Sequence, residues 1–103
     1  MFKIIETTTN DIENAKLISK NILDKKLSPC VQIHPSIKSY FRWGKTINND
    51  NEFLIRIKTI DKNIITITKL INNIHQYDNP EFISYDFNIE ADNYKKWFLD
   101  NLK

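Results

Sequence analysis

An α+β sandwich of the ferredoxin-like, split-βαβ kind is predicted for these 103 residues by three observations. Extended and helical stretches follow in the order β-α-β-β-α-β-α. Two βα units flank one long hairpin. The helical stretches repeat apolar residues every three or four positions, whereas the extended ones alternate or concentrate aromatic and β-branched residues. That order indicates one antiparallel sheet with helices on one face. An extended β-hairpin and a C-terminal helix are additions to that plan.

Phe2 to Thr8 is the first strand, with Phe2, Ile4 and Glu6 opposite Lys3, Ile5 and Thr7. Asn10 is the expected N-cap of a helix over about residues 11–26, with Glu13 placed to reach back as a capping box. Ala15, Ile18, Ile22 and Leu23 form its apolar stripe, and Pro29 blocks continuation. Cys30 to His34 is a short strand, and Pro35-Ser36 is expected to interrupt it. Ile37 to Trp43 and Glu52 to Lys58 are the hairpin strands, with Asn48-Asn49-Asp50-Asn51 as the turn cluster. Neither hairpin face is fully polar, which predicts that other copies of the chain cover it. Asp61 caps a second helix with Ile64, Ile67, Ile71 and Ile74 on one face. The segment 75–81 is a loop, Phe82 to Ile89 is a strand, and Asp92 caps a last helix carrying Tyr94, Trp97, Phe98 and Leu102.

Residues 1–103 read as a single domain. With 41% hydrophobic and 27% charged residues, the composition is that of a globular chain. A net charge of +2, from 15 basic and 13 acidic residues interspersed, supplies no footprint for nucleic acid. No apolar run approaches the roughly 20 residues that span a bilayer, so no membrane association is expected. One cysteine permits no internal disulfide, which fits a reducing, cytoplasmic setting. No nucleophile stands next to a base, and the loop at Thr7-Thr8-Thr9-Asn10-Asp11 lacks the Arg and Gly that an anion-cradling hydrolase needs there. The expectation is therefore a protein that is not an enzyme.

Several short motifs occur in one order along nearly the whole chain. They are Pro29-Cys30-Val31-Gln32-Ile33, Pro35, Ser39-Tyr40-Phe41-Arg42-Trp43, Gly44-Lys45-Thr46-Ile47, Leu54-Ile55-Arg56-Ile57-Lys58-Thr59, His75-Gln76-Tyr77-Asp78-Asn79-Pro80-Glu81 and Tyr94-Lys95-Lys96-Trp97-Phe98. In these the chain resembles the CutA, or divalent-cation-tolerance, family. Two places depart from that family's pattern. Its H-P-Y-E is here His75-Gln76-Tyr77-Asp78, and Gly44 sits one place early. The resemblance implies a ferredoxin-like subunit, a homotrimer, and a link to copper and other divalent metal ions. No cofactor is required for folding on this reading.

The residues supply candidates for that chemistry. Cys30 is either a small core residue or a soft copper ligand. It shares a strand face with His34, but four residues separate them by about 13 Å, too far to chelate one ion on a straight strand. His75 stands at a helix C-terminus, where an imidazolium suits the dipole. It also lies near Asp78 and Glu81, and His with carboxylates suits borderline divalent ions. The metal candidates are thus Cys30, His75, Asp78 and Glu81. Lys58, Tyr77 and Trp43, with Arg42, form a second set that could line a pocket for a small anionic metabolite between subunits. That set defines the alternative, a trimeric regulatory module working without metal. Trp43 also reads as interface packing.

Overall fold

The computed structural model describes residues 1–103. Its elements are β1 (Phe2–Thr9), α1 (Ile12–Asp24), β2 (Cys30–Trp43), β3 (Thr46–Ile60), a 3-10 turn at Asp61–Asn63, α2 (Ile64–Ile74), β4 (Ile83–Phe87) and α3 (Asp92–Asp100). The four strands form one sheet in the order β2-β3-β1-β4. Every neighbouring pair is antiparallel.

Strand alternation sorts the sheet into two faces. Ile5 pairs with Ile57, and Thr7 with Ile55. These residues face α1 and α2, and the core there is Ile5, Ala15, Ile18, Ile22, Leu27, Ile55, Ile57, Ile67 and Ile71. β-branched residues disfavour an isolated helix, so α2 depends on this packing. The opposite face carries Phe2, Ile4, Glu6, Lys58, Arg56, Leu54, Tyr85 and Phe87. At one end of that face α3 docks through Phe98, which is fully buried between Phe2 (ring centroids 5.5 Å) and Phe87 (6.1 Å). The helices therefore do not share one face, because the aromatic side of α3 finds its partners across the sheet.

The hairpin turn lies at Gly44-Lys45, not at Asn48–Asn51. Trp43 pairs directly with Thr46, so the loop has two residues. Only the first, Gly44, has positive φ (62°), the requirement of a type II′ turn, which matches the twist of the flanking strands. The four polar residues with turn propensity are drawn into β3 because the chain's single glycine takes the reversal. Pro35-Ser36 does not break the strand either. Both residues stand opposite Phe53 alone, since His34 pairs with Leu54 and Ile37 with Glu52. This is a β-bulge, with Ser36 at φ 61°. β2 is an edge strand, so the missing N–H of Pro35 costs no interior ladder bond. β1 pairs with β3 only from Phe53 onward, which leaves Ile37–Trp43 and Thr46–Glu52 as a two-stranded arm roughly 24 Å long.

Three helix starts also differ from expectation. Asp11 replaces Asn10 as the cap of α1, and its Oδ1 accepts from the Glu13 N–H at 2.9 Å. Asp61 caps nothing; it pairs with the terminal ammonium at 3.2 Å and with Lys3 at 3.9 Å. Asp92 is the first residue of α3, following Ala91, and complements the helix dipole from there.

Candidate functional site

Alternation along the arm places Ile37, Ser39, Phe41 and Trp43 on the same face as Glu52, Asp50, Asn48 and Thr46. The loop between α2 and β4 folds against that face. Between them is a groove of about 810 Å³, lined by Thr8, Ser39, Tyr40, Phe41, Trp43, Asn48, Asp50, Glu52, Tyr77, Asp78, Asn79 and Glu81. The lining holds four carboxylates and no Lys or Arg.

Hydrogen bonds pin the loop to the groove. The His75 N–H closes α2 by donating to the Ile71 carbonyl at 2.7 Å. The buried His75 ring donates from Nε2 to the Thr8 carbonyl at 2.9 Å and accepts the Tyr77 N–H at Nδ1, at 3.0 Å. Only the neutral tautomer with its proton on Nε2 satisfies both partners. Burial lowers the pKa of His75, opposed by the Thr8 bond and by Glu52, so the ring is held uncharged. It is thus not an imidazolium complementing the dipole of α2. The ring packs against Tyr77, centroid to centroid 4.9 Å. Tyr77 Oη donates to Glu52 Oε2 at 2.7 Å. Burial, and then Glu52, push the Tyr77 pKa up, so the phenol stays protonated as a donor.

Glu52 is 8% exposed, and no cationic side chain pairs with it. Glu6 contrasts with it: also buried, it accepts from Arg56 at 3.1 Å and from Tyr85 at 2.8 Å. Glu81 has its pKa raised by partial desolvation, then by the charges of Glu52 and Glu6. The groove therefore has a negative charge excess that the chain itself does not neutralise.

The two predicted sets regroup. Trp43, Tyr77, Asp78 and Glu81 line one groove, and His75 supports it from behind. Cys30 and Lys58 lie elsewhere, as direct cross-strand partners. Six residues of β3 separate Lys58 from Glu52, or about 20 Å. There Lys58 Nζ sits over the Tyr94 ring, 5.9 Å from its centroid. No three His, Cys, Asp or Glu side chains gather closely enough to hold one metal ion. Asp50 and Glu52 are groove residues that the sequence reading missed. A turn placed at Gly44 would have put both on the face of Trp43.

The sequence pattern of the family described as CutA1 divalent ion tolerance protein matches residues 3–101. The chain belongs to the CutA1 family. Among its CutA relatives, the chloroplastic CutA protein of Arabidopsis thaliana is 30% identical over 97% of this chain and 55% of its own length. The chain thus spans little more than half the length of the first few curated CutA relatives it matches. The CutA1 structure from Ehrlichia chaffeensis is 33% identical, with TM-score 0.89 over 97% of this chain and 94% of that one. The periplasmic divalent cation tolerance protein CutA of Archaeoglobus fulgidus is 28% identical, with TM-score 0.93 over the full length of both chains. The sheet and three helices described above are therefore the CutA1 fold. The two solved relatives are named as divalent ion or divalent cation tolerance proteins. No helix in this member is long and apolar enough to cross a membrane.

The structure explains one departure from the CutA pattern. Gln76 stands where the family has proline. Its N–H donates to Asn14 Oδ1 at 3.2 Å, a bond that proline cannot make. Its side chain donates to Thr9 Oγ1 at 3.1 Å and to Asn10, and Asn10 in turn donates to Asp50 at 2.9 Å. Gln76 thus links the loop, the start of α1 and the hairpin arm in one polar chain.

Proposed function

We propose that this CutA1 member serves divalent-cation tolerance as a homotrimer that takes up copper or another divalent cation at the hairpin groove. The observation that carries the reading is the groove lining, with Asp50, Glu52, Asp78 and Glu81 and no base. A cation entering there relieves the mutual repulsion of the carboxylates. An anionic metabolite meets that same repulsion, which counts against the metal-free regulatory module. Asp78 and Glu81 are the accessible ligands. His75 joins them only by giving up its bond to Thr8 or to Tyr77.

Assembly completes the reading. A two-stranded ribbon is marginal in water unless something covers it. The arm here exposes Tyr40, Phe41, Trp43 (71% exposed) and Ile47. Neighbouring subunits provide the cover, and three copies agree with the family resemblance. Cys30 is a separate, softer position that needs further ligands from another subunit. The proposed setting is the reducing cytoplasm, where that thiol stays free.

Native mass spectrometry during a copper(II) titration tests the proposal. The expected result is a trimer taking up copper in multiples of three. Joint Asp78→Asn and Glu81→Gln substitution should weaken uptake by roughly tenfold, equivalent to about 1.4 kcal/mol. A trimer with unaltered copper uptake in that double variant rejects the groove as the site. Cys30→Ser should weaken copper(I) binding alone; unchanged affinity returns Cys30 to a packing role.

A further inference from the structure

The arm leaves the body of the subunit at a single level. β1 ends its pairing with β3 at Thr9 and Phe53, and the bulge at Pro35-Ser36 stands opposite that same Phe53. Beyond it the two strands have only each other, and a two-stranded ribbon is marginal by itself. A bulge bends the strand that carries it, so backbone pairing alone leaves the direction of the arm loosely fixed. Only two side-chain hydrogen bonds join residues 37–52 to the rest of the chain. Tyr77 Oη donates to Glu52 at 2.7 Å, and Asn10 Nδ2 donates to Asp50 at 2.9 Å. Glu52 and Asp50 are the first two residues past Phe53 on the face turned to the 75–81 loop. Both bonds therefore act at the root of the arm, and both draw it to one side.

Both donors are set by the residues that follow α2. His75 sets Tyr77: its ring accepts the Tyr77 N–H at 3.0 Å and packs against the phenol ring at 4.9 Å. Gln76 sets Asn10. Its side chain donates to Asn10 Oδ1 and to Thr9 Oγ1, the latter at 3.1 Å, while its N–H donates to the buried Asn14 at 3.2 Å. With its oxygen occupied by a donor, the Asn10 amide is left with its NH2 turned to Asp50.

We propose that these two bonds are straps that hold the arm in one direction on its own subunit, and that Gln76, which bonds to no arm residue, is a positioning residue for it. The consequence is for assembly. An arm already held needs no ordering when a second copy docks against it, and ordering is a cost that association otherwise carries. That consequence rests on the homotrimer reading, whereas the straps themselves do not.

The test is amide hydrogen exchange, read by mass spectrometry on peptides covering 37–52, together with native mass spectra at falling concentration. Tyr77→Phe keeps the ring against His75 and removes the donor, and Asn10→Ala removes the second strap. Combined, they should speed exchange across 37–52 by about tenfold and leave the second half of α1 unchanged. The variant should also need a higher concentration to stay assembled. Gln76→Ala alone should speed exchange of the same peptides a few-fold. Asn21→Ala is the control, since that side chain bonds only to the Leu17 carbonyl within α1; arm exchange should match wild type. Thermal melts of each variant show that the fold persists. Unchanged arm exchange in the Tyr77→Phe, Asn10→Ala protein overturns the proposal, because neighbours or the ribbon's own pairing then hold the arm. Unchanged exchange in Gln76→Ala alone overturns the positioning role of Gln76. A monomeric wild type whose arm loosens in the double variant supports the straps and overturns the homotrimer. A trimer whose arm exchanges alike in both proteins overturns the straps and leaves the homotrimer standing.

Discussion

Glu81 shows how one side chain reports the charge of the groove. Its folded pKa lies above its ordinary value of 4.5, through partial desolvation and then through Glu52 and Glu6. Between those two values the folded chain binds more protons than the unfolded one, so stability falls as pH rises through this window. Glu81→Gln should therefore raise the melting temperature at neutral pH and leave it unchanged below about pH 4.5. The gain should stay under about 1 kcal/mol, because the side chain is exposed and screened. His75 has the opposite sign. Its folded pKa is depressed below 6.5, so the unfolded chain takes up the proton first. Its contribution is complete above 6.5 and is lost as pH falls through the folded value. Thermal melts across this range should show acid destabilisation that is reduced in His75→Gln. Both effects depend on which groups face one another, and a linear reading holds that only partly. It placed His75, Asp78 and Glu81 in one loop, but not Glu52 beneath them.

Among the elements, the hairpin shows where sequence patterning succeeds and where it misleads. The aromatic and β-branched runs Ile37–Trp43 and Glu52–Lys58 read as hairpin strands, and both lie in paired strands. The turn was misplaced because four Asn and Asp residues outweighed one glycine in local propensity. The backbone weighs them differently: a two-residue loop needs positive φ at its first position, and glycine meets that need without strain. Gly44→Ala should cost about 1 kcal/mol from backbone strain alone, since nothing lies within 4 Å of an added Cβ. Gly44→Asn should cost no less, because the first position of a type II′ turn combines positive φ with a ψ outside the left-handed helical region that asparagine tolerates. Chemical denaturation of the two variants checks this; no loss in either would show that the turn is not held in that conformation. The docking side of α3 was not legible at all. Its apolar residues announced a buried stripe, but only the register of Phe2 with Phe87 shows that its pocket lies across the sheet.

At the scale of the whole molecule, the principal extents are 48 × 26 × 21 Å, and the length comes from an arm that outreaches its own core. The order of elements was enough to give the sheet and the two helices over it. Coverage of the arm is a property of an assembly, which a single chain indicates only through unsatisfied apolar surface. Trp43 carries much of that surface. If the proposed homotrimer forms, Trp43→Ala should shift it towards smaller species at submicromolar concentration, read by native mass spectrometry or sedimentation. A variant that stays fully trimeric under those conditions removes Trp43 as an interface anchor.

The pleat sets a rule for how this arm can change in length. The Gly44-Lys45 turn fixes which β3 residues stand opposite Phe41 and Trp43, so both rings share the side of Asp50 and Glu52, and the bulge at Pro35-Ser36 absorbs the odd residue between that register and the register of Cys30–His34. Deleting one bulge residue would leave the rings where they are and close the ladder into a continuous strand. Lengthening or shortening beyond the bulge keeps both rings toward the loop between α2 and β4 only when it adds or removes residues in pairs, matched on both strands. Loops of related proteins are free to drift one residue at a time, but this arm can evolve its reach only in even steps.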